Sequence, residues 1–197
     1  MHKKLLGFTL IEILVVISII SVLSGVVYAS FGDARSSSRD KVRKTSLKEL
    51  ALALEMYKAQ YGFYPAEGCG GSAINTGDTP STSGVDWDGG ATWTGPGQHS
   101  SSWGNQCTEY IEGLAPEFIA KLPIDPNQEA EDNRGFLYRV SAQGDRYKVL
   151  VLNTVEVETV DDYNNEFARC PYSGGSNCGS SPDNDTYAIY SSGAEAW

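Results

Sequence analysis

Histidine is almost missing from this 197-residue chain, which holds only His2 and His99. That scarcity removes most sites that exchange protons or bind metals near neutral pH. There is no Gly-x-Ser-x-Gly elbow, no phosphate-cradling Gly-Lys-Ser/Thr loop and no His-Glu-x-x-His pair, and no two of the twenty-five carboxylates stand out as a hydrolytic pair. The expectation is a chain that is not an enzyme and needs no cofactor. Basic residues are scarce beyond position 60, where six Lys/Arg face twenty Asp/Glu, whereas residues 1–60 hold nine against five. A basic footprint for nucleic acid is therefore excluded. Cysteine is limited to Cys69, Cys107, Cys170 and Cys178, with no Cys-x-x-Cys spacing for zinc. Three disulfide pairings are open; sequence order favours Cys69 with Cys107 and Cys170 with Cys178, each closing a Gly-rich loop, which implies an oxidising compartment.

What the chain does have is one long apolar run. From Phe8 to Val27 a single charge, Glu12, interrupts twenty residues that are apolar on every side of a helix. At 1.5 Å per residue such a helix is about 30 Å long, the thickness of a bilayer's hydrocarbon core. A buried core helix of this kind would need a larger surrounding domain. Val27-Tyr28-Ala29 passes as a secretory cleavage site, but the run is too long for an ordinary signal and Glu12 works against insertion. A carboxylate kept in an apolar segment suggests a partner, against the plainer alternative that it snorkels to the membrane surface.

The segment Lys3-Lys4-Leu5-Leu6-Gly7-Phe8-Thr9-Leu10-Ile11-Glu12 resembles the class III leader of bacterial type IV pilins and type II secretion pseudopilins. The resemblance implies cleavage between Gly7 and Phe8 by a membrane-embedded prepilin peptidase, followed by N-methylation of Phe8. It also implies that the subunit passes to an inner-membrane assembly platform and polymerises with copies of itself or with minor pilins. The Glu12 carboxylate would then meet the Phe8 ammonium of a neighbour and set the register between subunits.

After the apolar run, Leu47, Leu50, Leu54, Tyr57 and Tyr61 recur at spacings of a helix with one packed face, which Gly62 and Pro65 close. Gly32 and the serines at 36 to 38 lower helix propensity between the two halves and predict a bend or local melting there. The phrase Tyr61-Gly62-Phe63-Tyr64-Pro65 is similar to major pseudopilins, as is Leu122-Pro123-Ile124-Asp125-Pro126. Residues 66–107 show no helical or strand period but carry Trp87, Trp93 and Trp103, which reads as an ordered excursion packed on the sheet rather than a ligand platform. A short helix is expected over Cys107 to Ile119, with Tyr110, Ile111, Leu114 and Phe118 on one side. Phe136 to Val140 and Tyr147 to Leu152 form a hairpin about Gly144-Asp145, and Thr186 to Tyr190 supplies a third strand.

Two charge patterns remain. Asp161, Asp162, Asp183 and Asp185 are candidates for calcium, since the resemblance implies such a site before the final strand, but a solvated acidic face is preferred. Arg35, Arg39, Lys41, Arg43 and Lys44 follow the apolar run and on charge counting alone would point the domain inward. Disulfides and the leader require it outside, so these residues are expected to pair with the acidic domain of an adjacent subunit. The expectation is an α+β, pilin-like fold: leader 1–7, membrane or filament-core helix 8–31, and a soluble domain 32–197. That domain divides into helix half 40–62, Trp- and Gly-rich excursion 66–107, and a small antiparallel sheet with its C-terminal loop at 134–197. The expected role is a polymerising subunit of a pilus or pseudopilus, single-pass in the cytoplasmic membrane beforehand. The alternative is a membrane-anchored binding module, or a minor tip pilin, using the tryptophan loop.

Overall fold

The computed structural model describes residues 8–68, 93–95, 104–106, 108–127, 134–141, 143–170 and 184–195, with backbone alone at 26–30, 93–95 and 104–106. One 52-residue helix, α1 (Leu10–Tyr61), precedes five strands: β1 (Trp93–Gly95), β2 (Gly104–Gln106), β3 (Gly135–Val140), β4 (Tyr147–Leu152) and β5 (Tyr187–Tyr190). At 1.5 Å per residue α1 is about 78 Å long, and among the described residues the sheet packs on its C-terminal half.

Both helix ends are written locally. Thr9 is extended and caps the helix, its hydroxyl accepting from the Glu12 N–H while the Glu12 carboxylate accepts from the Thr9 N–H. At the far end Gly62 takes φ 87°, a left-handed conformation that glycine reaches without Cβ strain, and its N–H donates to the Lys58 carbonyl at 2.8 Å. Local melting, one of the two outcomes expected at Gly32 and Ser36 to Ser38, does not occur, since α1 runs through them as continuous helix. Tertiary bonds outweigh propensity there: Ser37 Oγ donates to Glu158 at 3.2 Å and Arg39 Nε donates to Glu156 at 2.7 Å.

The sheet order is β2-β1-β3-β4-β5, antiparallel except for the parallel pair β1 and β2. The expected hairpin forms, with Phe136 opposite Val151 and Val140 opposite Tyr147, and β5 joins β4 as the third antiparallel strand. Strand alternation sends Phe136, Tyr138, Val140, Tyr147, Val149, Val151 and Tyr187 into one core with Leu47, Leu50 and Leu54 of α1. The opposite set, Leu137, Leu150, Leu152 and Ala188, forms a smaller cluster on the sheet's other face. The strand patterns are thus buried at every position of β3 and β4.

Two expectations are corrected. β1 and β2 lie inside the excursion that showed no strand period; three residues each are too short to display alternation. The helix expected over 107–119 is instead a run of turns. Gly113 sits at φ 68° and Pro116 has no N–H to donate, so only one helical turn closes, with the Phe118 N–H donating to the Leu114 carbonyl at 3.0 Å. The apolar side is still used as expected for Tyr110, Ile111 and Leu114, all buried against α1, while Phe118 packs at the core's edge.

Candidate functional site

From Phe8 to Gly25 every residue is exposed. Phe8 is 84% exposed, and Leu10, Ile11, Leu14, Val15, Val16, Ile19, Ile20, Val22 and Leu23, which point around the whole circumference, are all exposed. Leaving so much apolar surface in water is unfavourable by roughly 25 cal/mol per Å², so this stretch is built to be covered. Among the described residues no helix is long and apolar enough to cross a membrane. Side chains are described only as far as Gly25 before the interval at 26–30, and residues 10–25 make about 24 Å of helix.

At the tip, Glu12 has local partners that the residue-by-residue reading missed. Thr9 donates to Glu12 Oε2 from its N–H at 2.7 Å and from its hydroxyl at 2.6 Å. The signal was present as Thr-x-x-Glu ahead of an apolar run, the capping-box spacing. Both residues are exposed, so the carboxylate remains open to a further partner. Phe8 stands beside them; Gly7 lies outside the described residues.

A second constellation fastens the exposed helix to the folded head. Arg43 on α1 is 1% exposed and forks onto Asp125, donating from Nε to Oδ2 at 2.6 Å and from Nη2 to Oδ1 at 3.0 Å. Its Nη1 donates to Asp40 at 2.7 Å and to Glu156 at 2.9 Å. Asp40 is itself fully buried and accepts the backbone N–H groups of Glu156, Val157 and Glu158, the closest at 2.8 Å. Arg39 also grips Glu156, and Lys44 reaches Glu158 at 2.7 Å. Buried carboxylates survive only when paired and hydrogen-bonded, and each of these is.

The electrostatics follow from those contacts. Hydrogen bonds from Arg39, then from Arg43, hold Glu156 down to about 2 against the opposing effect of burial. Burial alone would lower Arg43, but bonds and charge from Asp125, with Glu156 and Asp40, more than offset it and raise the group. The Asp125 of the Leu-Pro-Ile-Asp-Pro phrase is thus a structural anchor, with the Asn127 N–H closing a turn on its carboxylate at 2.8 Å.

This clamp changes the reading of the basic cluster. Arg39, Arg43 and Lys44 pair within their own chain, because the loop at 156–158 folds back onto α1, while Arg35 and Lys41 remain exposed. Of the calcium candidates, Asp161 accepts from Thr159 at 2.9 Å, Asp162 accepts from Asn164 at 2.9 Å and Asp185 accepts from Thr186 at 3.3 Å, while Asp183 lies outside the described residues. Among the described residues no three His, Cys, Asp or Glu side chains come together to hold a metal.

Cys170 is buried and disulfide-bonded. Cys69, Cys107 and Cys178 lie outside the described residues, as do Trp87, Trp103 and the side chain of Trp93.

Comparison with known proteins bears on the apolar helix. Residues 3–28 match the family described as the prokaryotic N-terminal methylation motif. A 60-residue stretch, 30% of the chain, is 38% identical to the type II secretion system core protein G of Pseudomonas aeruginosa. The alignment spans 42% of that protein's length. No solved structure matches the chain. Both matches agree with the resemblance to type IV pilins and pseudopilins read from Lys3 to Glu12.

Proposed function

We propose that this chain is a structural subunit that polymerises through the N-terminal half of α1 into a pilus-like filament, and that the filament is a pseudopilus of the type II secretion kind. The observation that carries the reading is the stretch from Phe8 to Leu23, exposed and apolar around its circumference while the C-terminal half of α1 is docked on a folded head. A bilayer covers such a surface before assembly and a bundle of like helices covers it afterwards. The similarity to a secretion-system core protein supports the pseudopilus over a surface pilus.

In this proposal a prepilin peptidase cuts between Gly7 and Phe8, Phe8 is N-methylated, and the head, with its bonded Cys170, lies outside the cytoplasmic membrane. The new Phe8 ammonium is the charge that enters the bundle, and Glu12 of a neighbour supplies its counter-charge. The clamp around Arg43 keeps the exposed helix rigidly aligned with the head, so the head's position in the filament follows from the helix packing.

The test is Glu12→Ala in a cell whose only copy is the variant. Insertion, cleavage and head folding should persist, since removing a charge eases insertion. Filament yield should collapse, because an unpaired ammonium in the bundle costs roughly 3 to 5 kcal/mol. Glu12→Asp, with its shorter reach, should fall between. Normal filaments from Glu12→Ala would overturn the pairing, and a mature chain that does not begin at Phe8 would overturn the processing.

A further inference from the structure

The docked part of α1 carries a second seam, on the side turned away from the sheet. Phe31, Arg35, Ser38, Val42, Thr45, Glu49, Leu52 and Met56 follow one another at alternating spacings of four and three, and all eight are exposed. This is the repeat by which one helix presents a continuous stripe to another. The packed seam of the same helix, buried Asp40, Arg43, Leu47, Leu50 and Leu54 followed by half-buried Tyr57, runs at the same alternation on the side facing the head. Half of the outer seam is large and apolar: Phe31 is 57% exposed, Val42 49%, Leu52 64% and Met56 50%. Single exposed apolar residues are ordinary, but four on one helical line, interrupted by just two charges of opposite sign, define a surface with a register.

We infer that a second copy of this chain packs along that seam, parallel and displaced by two heptads, so that Arg35 of one copy meets Glu49 of the other. The inference rests on the proposal that copies polymerise with their helices pointing the same way. Within that constraint the charges choose the displacement. Unstaggered copies would set Arg35 against Arg35 and Glu49 against Glu49. One heptad of stagger would bury Arg35 on Val42 and Glu49 on Met56. Three heptads would put Arg35 on Met56. Two heptads, an axial offset of about 21 Å, pair the opposite charges, place large side chains on small ones at Phe31 on Thr45 and Leu52 on Ser38, and set apolar Val42 against apolar Met56. Neither Arg35 nor Glu49 makes an ion pair with another described residue of its own chain, so both are available. Like charges facing each other suppress wrong partners and registers, which is how such a pair specifies a stagger.

Two full-length variants, Arg35→Cys and Glu49→Cys, co-expressed in the same membrane, test the register by oxidative cross-linking and mass mapping of the linked peptides. The expected product is a mixed dimer joined at the two substituted positions, in excess over either homodimer. In parallel, Arg35→Glu and Glu49→Arg should each lower filament yield about tenfold, and the double variant should restore it. Both positions are exposed, so subunit levels and head stability should stay unchanged in all three. Homodimers linked at position 35, or no recovery in the double variant, would overturn the stagger while filaments still form. Absence of filaments and of any cross-link between copies of otherwise unaltered α1 would overturn the polymerisation proposal as well.

Discussion

Arg43 shows how one side chain can hold two halves of a molecule. Its guanidinium satisfies Asp40 on its own helix, Asp125 eighty-two residues away and Glu156 further still. Replacing it by methionine keeps the apolar stem but leaves Asp40 and Asp125 buried without a counter-charge. Arg43→Met should destabilise the head by about 3 to 5 kcal/mol. Arg39→Met, by contrast, removes a pair whose members are 28% and 22% exposed and should cost about 1 kcal/mol or less. Thermal unfolding of the two detergent-solubilised variants, side by side, checks the contrast. Equal shifts would show that burial does not set the strength of this network. None of this was visible at the level of the residue. Positive charges near 35–44 and negative charges near 156–166 could be counted from the sequence, but pairing within one chain or between two depends on where the loop at 156–158 returns.

At the scale of the element, periodicity carried as far as an element had enough residues to show it. The packed face of α1, the hairpin of β3 and β4, and the glycine stop at residue 62 were legible because each is local. The turns at 112–118 were not, because a helical spacing of apolar residues says which side is buried without saying that Gly113 takes a positive φ. Nor was β4's inward lysine. Lys148 is fully buried on the sheet's second face, where its ammonium donates to the carbonyls of Arg169 and Glu195, the latter at 3.0 Å, and lies 5.0 Å from the Tyr190 ring. It ties β4 to the segment before Cys170 and to the chain's last described turn. Burial, with the nearby Arg169, lowers it to about 7, partly opposed by Glu195. The unfolded chain therefore still holds a proton that the folded chain has shed above that pH, so folding stability should rise as pH climbs from 7 toward the usual lysine range. Chemical denaturation midpoints between pH 7 and about 9.5 should show that rise, and Lys148→Met should flatten it. An identical slope in the variant would assign the rise to other groups.

For the whole molecule, the question is whether Glu12 serves its own helix or its neighbour. The structure gives it a local duty, closing the capping box with Thr9, and assembly gives it a distant one. The two can be separated because the box has two parts. Thr9→Val removes the hydroxyl that accepts from the Glu12 N–H and donates to its carboxylate, but leaves the carboxylate and the backbone bond at 2.7 Å in place. Loss of such a cap costs about 1 kcal/mol of helix stability, confined to the first turn. A helix continued for many turns beyond that point and clamped at Asp40 and Arg43 will not unfold for so little. If Glu12 acts between subunits, Thr9→Val should therefore assemble nearly as well as the parent chain, while Glu12→Ala, which keeps the backbone N–H bond to the Thr9 hydroxyl but removes the carboxylate half of the box together with the charge, should not. Filament yield at equal membrane levels of the two variants decides between the roles. Failure of Thr9→Val to assemble would mean that the cap itself, by holding the first turn in shape, is what the filament requires of Glu12.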